Sequence, residues 1–450
     1  MAQITLAQAA AWCGGTIDPK YSDVVFLGAN NDSRKVEPGQ LFVALQGARD
    51  GHDFIPMALE KGAAAVLCTH CEADYPAIVV KDTRIALGQI AKEERNRIGM
   101  KVVGVTGSVG KSTTKEMIAS VLATTYRVAK TPANHNNDIG MPMAILSIPE
   151  DTEVAVLEMG MNHFREIAYL SSIGQPDLAV IINIGTMHIE HLGSKEGIRQ
   201  AKLEILEGLR DGGAILLNGD DEMLWPVGGE LEVPSVYFGA DNQGCAVCAD
   251  NVKMGDHGLS FRVKTEKETF DVSLALEGQH YVLDALAAVS AGLQMGVTIE
   301  NIQKALGCFR NMAGRQEIFE AQGYTIIKDC YNAGPESMAA ALAVLGKKPG
   351  RRIAVLGDML ELGMRAPAEH YRVGRVAAEQ ADLLFAYGPN SERVVSGAIT
   401  GGMDTAHAQG FEDRQALVSA LKACAKAGDV LLFKGSHGMH MELALELFLA

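Results

Sequence analysis

The feature that most constrains this chain is an apolar segment, 102–105, which breaks into a turn of small residues and a Gly-Lys-Ser sequence. Gly107 and Gly110 would let successive backbone N–H groups curl around phosphate oxygens. Lys111 would neutralise the outer phosphates, and Ser112 would offer a hydroxyl to magnesium. The pattern therefore predicts a strand, a nucleotide-triphosphate loop and a helix whose positive end faces the anion.

The usual eight-residue phosphate loop has a glycine five positions before Gly110, where this chain has Val105. The chain therefore matches a shorter pattern, which an ordinary strand-to-helix turn could share. The apolar side chains at 117–122 fall on one face of the predicted helix and favour the nucleotide loop. The residues that we expect to bind ATP in this loop are Gly107, Ser108, Val109, Gly110, Lys111, Ser112 and Thr113.

Length and charge limit the classes of protein that the chain can belong to. A chain of 450 residues exceeds one hydrophobic core, so we expect two or three domains. A formal net charge of -15 argues against a nucleic-acid partner. No apolar run is long enough for a membrane span, and the amino terminus lacks a leader pattern, so we expect a soluble, cytoplasmic protein.

Alternation of short strands with helices predicts an α/β fold with a mostly parallel central sheet. Between residues 245 and 276 the period changes to two around a turn at 255–258, which predicts an appended antiparallel ribbon. A third alternating unit follows. We expect a small α/β domain at 1–98, a central P-loop ATPase domain at 99–310 and a further α/β domain at 311–450.

The cysteines raise the question of zinc or redox chemistry. Two Cys-x-x-Cys pairs are present, Cys68 with Cys71 and Cys245 with Cys248. They lie in separate segments, and neither begins a helix as a redox motif would. Free thiols in a reducing compartment are the preferred interpretation, and a shared zinc site is the alternative.

Acidic and imidazole side chains follow strands at the edge where the phosphate loop lies. Glu158 ends one strand and would hold magnesium, or would cap the next helix. His188 follows the next strand as a candidate ligand of a second magnesium, with Glu190 and His191 as competitors. Lys202 lies within a predicted helix, where composition alone favours a solvated lysine paired with a carboxylate.

Two charged residues mark the start of the third unit. Arg315 lies at its join with the central region, where it could reach a phosphate when the domains close, or could remain on the surface. Asp329 ends a strand of the third unit and should face the space above it.

With these residues assembled, the chain resembles the Mur ligase family over essentially its whole length. The ordered motifs that carry the resemblance are Asn31–Arg34, Pro38–Leu45, Asp50–Phe54, Thr106–Met117, Asn134–Gly140, Leu157–Gly160, Asn183–Gly185, His188, Lys202–Ile205, Gly314–Arg315, Asp329–Ala333, Val355–Gly363 and Lys434–Ser436.

The resemblance implies three domains: one for the UDP-sugar end of the substrate, a central ATPase and a Rossmann-like third domain. The activity that it implies is ATP- and Mg²⁺-dependent addition of D-alanyl-D-alanine to UDP-N-acetylmuramoyl-tripeptide through an acyl phosphate. Alternatives are a sister ligase that adds one amino acid, a folylpolyglutamate synthase, and a catalytically idle ATP-binding scaffold. The third residue of the peptide, lysine or diaminopimelate, stays open.

The resemblance also implies roles for individual residues. Catalysis is expected from Lys111, Glu158, His188 and Lys202; metal binding from Ser112, Glu158 and His188; nucleotide contacts from Arg315 and Asp329; and substrate binding from Ser33, Arg34, Asn134 and Asn137. Lys202 matches a lysine that carries a carbamate in many of these ligases, so N6-carboxylysine is expected there. The chain departs from the family pattern at Tyr281 and Asp284, where asparagines near adenine are common, and at Gly334 and His437.

Overall fold

The computed structural model of the chain describes residues 3–255, 258–312 and 314–450. Of the predicted turn at 255–258, Asp256 and His257 lie outside the described residues. Within the described parts of the chain, no helix is long and apolar enough to cross a membrane.

The first stretch of the chain forms a small parallel sheet and a two-stranded ribbon. Its elements are β1 Ile4–Thr5, α1 Leu6–Cys13, β2 Val25–Phe26, β3 Ala29–Asn30, β4 Leu41–Val43, α2 Ile55–Glu60, β5 Ala65–Cys68, β6 Ala77–Val79 and α3 Thr83–Ile98. The sheet has the order β3-β4-β5-β6 with every pair parallel, while β1 pairs with β2 antiparallel. The carboxyl ends of its four strands therefore share one edge, where the loops after each strand lie.

The central stretch forms a nine-stranded sheet covered by helices. Its elements are β7 Lys101–Thr106, α4 Lys111–Leu122, β8 Val128–Lys130, α5 Gly140–Leu146, β9 Val154–Glu158, α6 Glu166–Gly174, β10 Leu178–Ile181, α7 Ile189–Leu192, α8 Lys195–Leu203, β11 Ala214–Asn218, β12 Ser235–Gly239, β13 Val247–Gly255, β14 Gly258–Thr265, β15 Thr269–Leu274, α9 Tyr281–Gln294 and α10 Ile299–Cys308. The order is β15-β14-β13-β12-β11-β10-β7-β9-β8. Strands β7 to β13 pair in parallel and β13-β14-β15 antiparallel, so the predicted parallel sheet with an appended ribbon is confirmed.

The last stretch forms a six-stranded sheet. Its elements are β16 Glu317–Ala321, β17 Tyr324–Asp329, α11 Pro335–Gly346, β18 Arg352–Gly357, α12 Ala366–Gln380, β19 Leu383–Tyr387, α13 Ser391–Thr400, β20 Ala408–Phe411, α14 Arg414–Cys424, β21 Val430–Lys434 and α15 Met441–Leu449. The order is β16-β17-β21-β18-β19-β20, with only the β16-β17 pair antiparallel among the described strands.

Most elements match the sequence expectations, and the differences are local. The apolar runs at 154–158 and 214–218 predict strands, and β9 and β11 have these same bounds. The helix after the phosphate loop buries the face at 117–122. The predicted helix at 195–209 is α8 only as far as Leu203, because the chain tightens into a 3-10 helix at Glu204–Gly208. The elements that the sequence did not indicate include the short strands β1, β2, β3, β8, β12, β16 and β20 and the helices α1 and α13.

One buried arginine ties the first stretch to the central sheet. Arg95, on α3, is 1% exposed and donates to the carbonyl oxygens of Gly174 and Gln175, both at 3.0 Å. Its guanidinium also lies 3.4 Å from Asp177 Oδ2, which accepts the backbone N–H of Val102 at the start of β7. Helix α3 is thus fixed to the strand that leads into the phosphate loop.

We expect Arg95→Met to destabilise the protein by about 3 kcal/mol, because it leaves one buried carbonyl, one partly buried carbonyl and a carboxylate without the arginine donor. Urea unfolding followed by circular dichroism measures the change. Arg393→Met, on an exposed position of α13, is the control for the same substitution. An equal loss in both variants would contradict the role given to Arg95.

Candidate nucleotide and ligation site

The turn between β7 and α4 requires glycine at position 110, both for its backbone conformation and because Asp284 packs against it. Gly110 has φ of 88°, in the left-handed region, and a Cβ placed there would lie 2.8 Å from Asp284 Oδ1. Any larger side chain would therefore be strained in its backbone and would also clash with a buried carboxyl group. The turn directs the first backbone N–H groups of α4 into a cavity of about 380 Å³.

This space, the nucleotide cavity, lies between the central sheet and the third sheet. Its lining includes Ser108, Val109, Gly110, Lys111, Ser112, Thr113, Asn136, Glu158, Asn183, His188, His280, Tyr281, Asp284, Arg315, Asp329, Tyr331, Glu336 and Lys434. The volume falls in the range of small-molecule sites. The structure brings together here most of the nucleotide and metal residues predicted from sequence.

Asn183 fixes the phosphate loop from the side. Its Oδ1 accepts the backbone N–H groups of Ser108 and Val109 at 3.0 and 2.9 Å, and its Nδ2 donates to the Val109 carbonyl at 2.9 Å. Ser108 Oγ in turn accepts the N–H of Gly185 at 2.8 Å. Sequence reasoning did not assign this role, although the Asn-Ile-Gly sequence after β10 was a visible signal.

Lys111 is folded back onto the loop that it follows. Its Nζ donates to the carbonyl oxygens of Gly107 at 2.8 Å and Ser108 at 3.3 Å. Burial lowers the pKa of Lys111, as does the nearby charge of Arg315, and the Glu158 carboxylate acts in the opposite direction. An anion bound beside the loop would compensate the buried ammonium group.

Glu158 faces the phosphate loop. It is 2% exposed, and its two oxygens accept from Ser112 Oγ at 2.9 Å and Asn136 Nδ2 at 2.8 Å. Lys115 Nζ lies 3.8 Å from the same carboxylate. These contacts do not support the alternative that Glu158 caps the next helix. Asn136 was not singled out from sequence, although it lies in the Asn-His-Asn-Asn motif.

His188 lines the same cavity in a strained conformation. Its φ of 62° is in the left-handed region, and its Nδ1 lies 2.7 Å from Oε2 of Glu361, a residue of the third unit. This contact lowers the pKa of Glu361. Glu361 also has a left-handed φ of 62°, so two unfavourable backbone conformations face each other across the join.

Lys202 is buried, so the interpretation as a solvated lysine was wrong. It is 2% exposed, at the end of α8. Burial lowers its pKa well below the usual value, and the positive charge of Lys111 lowers it further. A neutral amine is the nucleophilic form of a lysine side chain, and it is the form that this environment favours.

The donor set at the loop fits magnesium. Ser112 and Glu158 offer a hydroxyl and a carboxylate within hydrogen-bonding distance of each other, and hard oxygen ligands suit Mg²⁺. Across the described ranges, no three His, Cys, Asp or Glu side chains converge on one point as a metal-binding group. The metal roles of Ser112, Glu158 and His188 stay predictions. The four Cys-x-x-Cys residues are free thiols.

Arg315 reaches the phosphate loop from the third unit. Its Nη2 donates to Ser112 Oγ at 3.1 Å, and its guanidinium lies over the Tyr331 ring at 3.7 Å from the centroid. It is therefore engaged at the join and is not a free surface arginine. Asp329 accepts from Lys434 Nζ at 2.6 Å and lines the same cavity.

Two of the four departures from the family pattern, Tyr281 and Asp284, are buried at this site. Tyr281 Oη accepts from Asn311 Nδ2 at 2.7 Å. Asp284 is 4% exposed and accepts from Thr114 Oγ1 at 2.8 Å. Burial raises the pKa of Asp284 to about 7, although the Thr114 hydrogen bond and the Arg315 charge act in the opposite direction. Burial therefore favours the neutral carboxyl group over the carboxylate.

The predicted substrate residues lie away from the nucleotide cavity. Arg34 pairs with Asp32 at 2.9 Å, and Ser33 Oγ contacts Met57 Sδ at 3.3 Å. Asn134 accepts the Asn136 N–H through its carbonyl oxygen at 2.7 Å. The structure does not bring these three residues to the phosphate loop.

Asn137 lines a second cavity of about 400 Å³, the helix cavity, and its Oδ1 also accepts the Gly140 N–H at 2.7 Å. The helix cavity lies between the start of α3 and the start of α6. It is lined by Arg84, Ile85, Asn137, Asp138, Gly160, Asn162, Phe164, Arg165, Glu166, Tyr169 and Leu170. Gly160 and Asn162 line both cavities, so the two spaces adjoin.

Comparison with known proteins gives consistent family matches along the chain. The Mur ligase family catalytic domain matches residues 26–95, the Mur ligase middle domain 105–292, and the Mur ligase glutamate ligase domain 314–437. The UDP-N-acetylmuramoyl-tripeptide--D-alanyl-D-alanine ligase of Bacillus subtilis is 39% identical over 98% of this chain and 97% of its own.

Solved structures agree with these matches. A crystal structure of MurF from Acinetobacter baumannii superposes with a TM-score of 0.92 and 31% identity, covering 100% of this chain and 99% of that one. MurF ligase from Thermotoga maritima in complex with ADP gives a TM-score of 0.83 and 29% identity, covering 94% and 96%.

We expect Asp284→Asn to stabilise the protein in a pH-dependent way. An acid whose pKa is raised by folding from about 4 to about 7 loses stability as pH rises through that window, by up to about 4 kcal/mol at pH 8. Asparagine removes that loss and still accepts from Thr114. The melting temperature should therefore rise at pH 8 and change little at pH 4. Asp271→Asn, at an exposed strand position, is the control, and a shift independent of pH would contradict the assignment.

Proposed function

The chain belongs to the Mur ligase family, and on that premise we propose that it joins D-alanyl-D-alanine to UDP-N-acetylmuramoyl-tripeptide with hydrolysis of ATP to ADP and phosphate. Full-length similarity to ligases that carry this name supports the activity over the single-amino-acid and folate alternatives. The reaction belongs to peptidoglycan precursor synthesis, and the place that we propose for it is the cytoplasm.

The observation that carries the proposal is the hydrogen bond from Arg315 to Ser112. It links the third unit to the phosphate loop, beside Lys111 and Glu158, in a cavity that adjoins the one leading from the first unit. A ligase of this kind must bind ATP, the carboxylate donor and the amine acceptor close enough together for them to react. An idle ATP-binding scaffold would not need three units to meet there.

In the first step, the terminal carboxylate of the tripeptide attacks the γ-phosphorus of ATP, and ADP leaves. The bond formed joins a carboxylate oxygen to the γ-phosphorus and gives the mixed anhydride of an acyl phosphate, and the bond broken joins the γ-phosphorus to the β,γ-bridging oxygen. Lys111 and Arg315 would oppose the negative charge on the transferring group. Ser112 and Glu158 would hold Mg²⁺, which neutralises phosphate charge when bound.

In the second step, the amine of D-alanyl-D-alanine attacks the activated carbonyl, and inorganic phosphate leaves as the amide forms. We propose that Lys202 carries a carbamate, formed when its neutral amine adds to carbon dioxide and loses a proton. The carbamate places a negative charge at this buried position. Together with His188 it would supply a second site for a divalent cation on the acyl-phosphate side.

The remaining assignments belong to the same proposal. We propose domain limits at 1–98, 99–310 and 311–450, and the separate four-, nine- and six-stranded sheets support this division. Ser33 and Arg34 would bind the uridine nucleotide at the shared strand edge of the first sheet, and Asn134 and Asn137 would line the path of the peptide. Asp329 would contact the ribose or phosphate of ATP.

We expect phosphate release from ATP only when UDP-N-acetylmuramoyl-tripeptide and D-alanyl-D-alanine are both present. Mass spectrometry of the product should give the UDP-muramoyl-pentapeptide. Single amino acids in place of the dipeptide test the sister ligases. Phosphate release with glutamate or another single amino acid, and none with the dipeptide, would reject the proposal.

We expect Lys202→Gln to lower kcat on the order of 100-fold while ATP binding is retained, because the variant loses the anionic group but not the phosphate loop. Carbon-13 NMR with labelled bicarbonate should show a carbamate signal in the wild-type protein and none in Lys202→Gln. Lys195→Gln, on the exposed part of the same helix, is the matched control. A carbamate signal that persists in Lys202→Gln would place the modification elsewhere.

A further inference from the structure

The helix cavity carries a pair of opposite charges that the proposed reaction has not used. Arg84 Nη1 lies 3.1 Å from Asp138 Oδ2, and the two side chains are 52% and 33% exposed. The other charged side chains of the cavity are already engaged. Arg165 pairs with Glu207, and Glu166 accepts the backbone N–H of Asn162 at 2.6 Å.

The position of this cavity indicates what enters it. Arg84 follows β6 and the start of α3, at the strand edge where the loops of the first sheet lie. At its other end the cavity shares Gly160 and Asn162 with the nucleotide cavity. A donor held by the first unit, with its carboxylate at the γ-phosphate, therefore passes through the helix cavity. Its last residue, which bears the reacting carboxylate, lies at that junction.

The walls match a side chain with an apolar stem and a charged end. Ile85, Phe164 and Leu170 line the cavity, and Ile85 and Phe164 are 52% and 40% exposed, so they offer contact area to methylene groups. The guanidinium of Arg84 and the carboxylate of Asp138 lie 3.1 Å apart, so one small ligand group could contact both. An ammonium and a carboxylate on a single carbon would complement both.

We propose that the helix cavity receives the side chain of the third peptide residue, and that the Arg84–Asp138 pair selects a side chain ending in an amino-acid head group. The substrate carboxylate binds Arg84 and the substrate ammonium binds Asp138. This inference rests on the proposed ligase function and makes the preferred donor the diaminopimelate tripeptide. A lysine side chain brings an ammonium alone and leaves Arg84 without a new partner.

The test compares kcat/KM for the diaminopimelate and lysine forms of UDP-N-acetylmuramoyl-tripeptide, with ATP and D-alanyl-D-alanine saturating. We expect the wild-type protein to prefer the diaminopimelate form on the order of tenfold or more. Arg84→Gln should remove most of that preference through the KM of the donor, with the KM of ATP and of D-alanyl-D-alanine unchanged. Arg393→Gln is the control on a distant exposed helix.

A substrate analogue keeps the test independent of how the variant folds. Amidation of the side-chain carboxylate of diaminopimelate removes the group assigned to Arg84 and leaves the ammonium. The wild-type protein should then use the amidated donor about as poorly as the lysine form, and Arg84→Gln should not distinguish the amidated from the acidic donor.

Each contrary result has a separate meaning. Equal use of both tripeptides by the wild-type protein, or preference for lysine, would overturn the inference and leave the ligase function intact. A rise in the KM of D-alanyl-D-alanine in Arg84→Gln would also overturn it, because the cavity would then hold the acceptor. Absence of product with either tripeptide would instead reject the proposed function on which the inference rests.

Discussion

The left-handed turn at Gly110 is the constraint on which the site depends. The turn ends β7 and begins α4, so its shape decides where the first N–H groups of the helix point. Two side chains from distant segments fix that shape: Asn183 holds the residues before Gly110, and Asp284 fills the space beside it. The shape of the phosphate loop thus depends on packing between the loop itself and the segments that carry Asn183 and Asp284. This packing leaves no room for a Cβ atom at Gly110.

The local structure of this turn could be predicted from sequence, and its partners could not. An apolar run, small residues and an amphipathic stretch specify strand, loop and helix through short-range geometry alone. Asn183 and Asp284 contact residues that are 74 and 170 positions away. Such contacts depend on the order of strands in the sheet and on how helices pack against it. The hydrophobic periodicity of the sequence does not specify either of these. Strand β20 was missed because it has only four residues and lies at the edge of its sheet, where it pairs only with β19 among the described strands. Its place in the fold therefore depends on a contact with a distant strand and not on a local pattern.

Lys202 shows where sequence reasoning alone gives the wrong answer. In the sequence it is one of several charged residues on a short helix, which is typical of a solvated face. In the structure α8 turns this position inward, and the charge that further lowers its pKa is another cation, Lys111. A buried lysine and a half-buried lysine that interact destabilise each other unless anions lie between them. A site with this arrangement favours polyanionic ligands and, at Lys202, the conversion of the amine into an anion.

The same electrostatic argument explains why the third unit belongs to the site. Arg315 adds a further cation beside Ser112, and its charge lowers the pKa of Lys111. Glu336 acts in the opposite direction: it accepts from the backbone N–H and hydroxyl of Thr186, on the loop that precedes His188. Two contacts therefore hold the third unit against the central unit. The Arg315–Ser112 contact adds positive charge beside the phosphate loop, and the Thr186–Glu336 contact adds a carboxylate. Binding of ATP would compensate the first without disturbing the second, so nucleotide binding and closure of the third unit should favour each other.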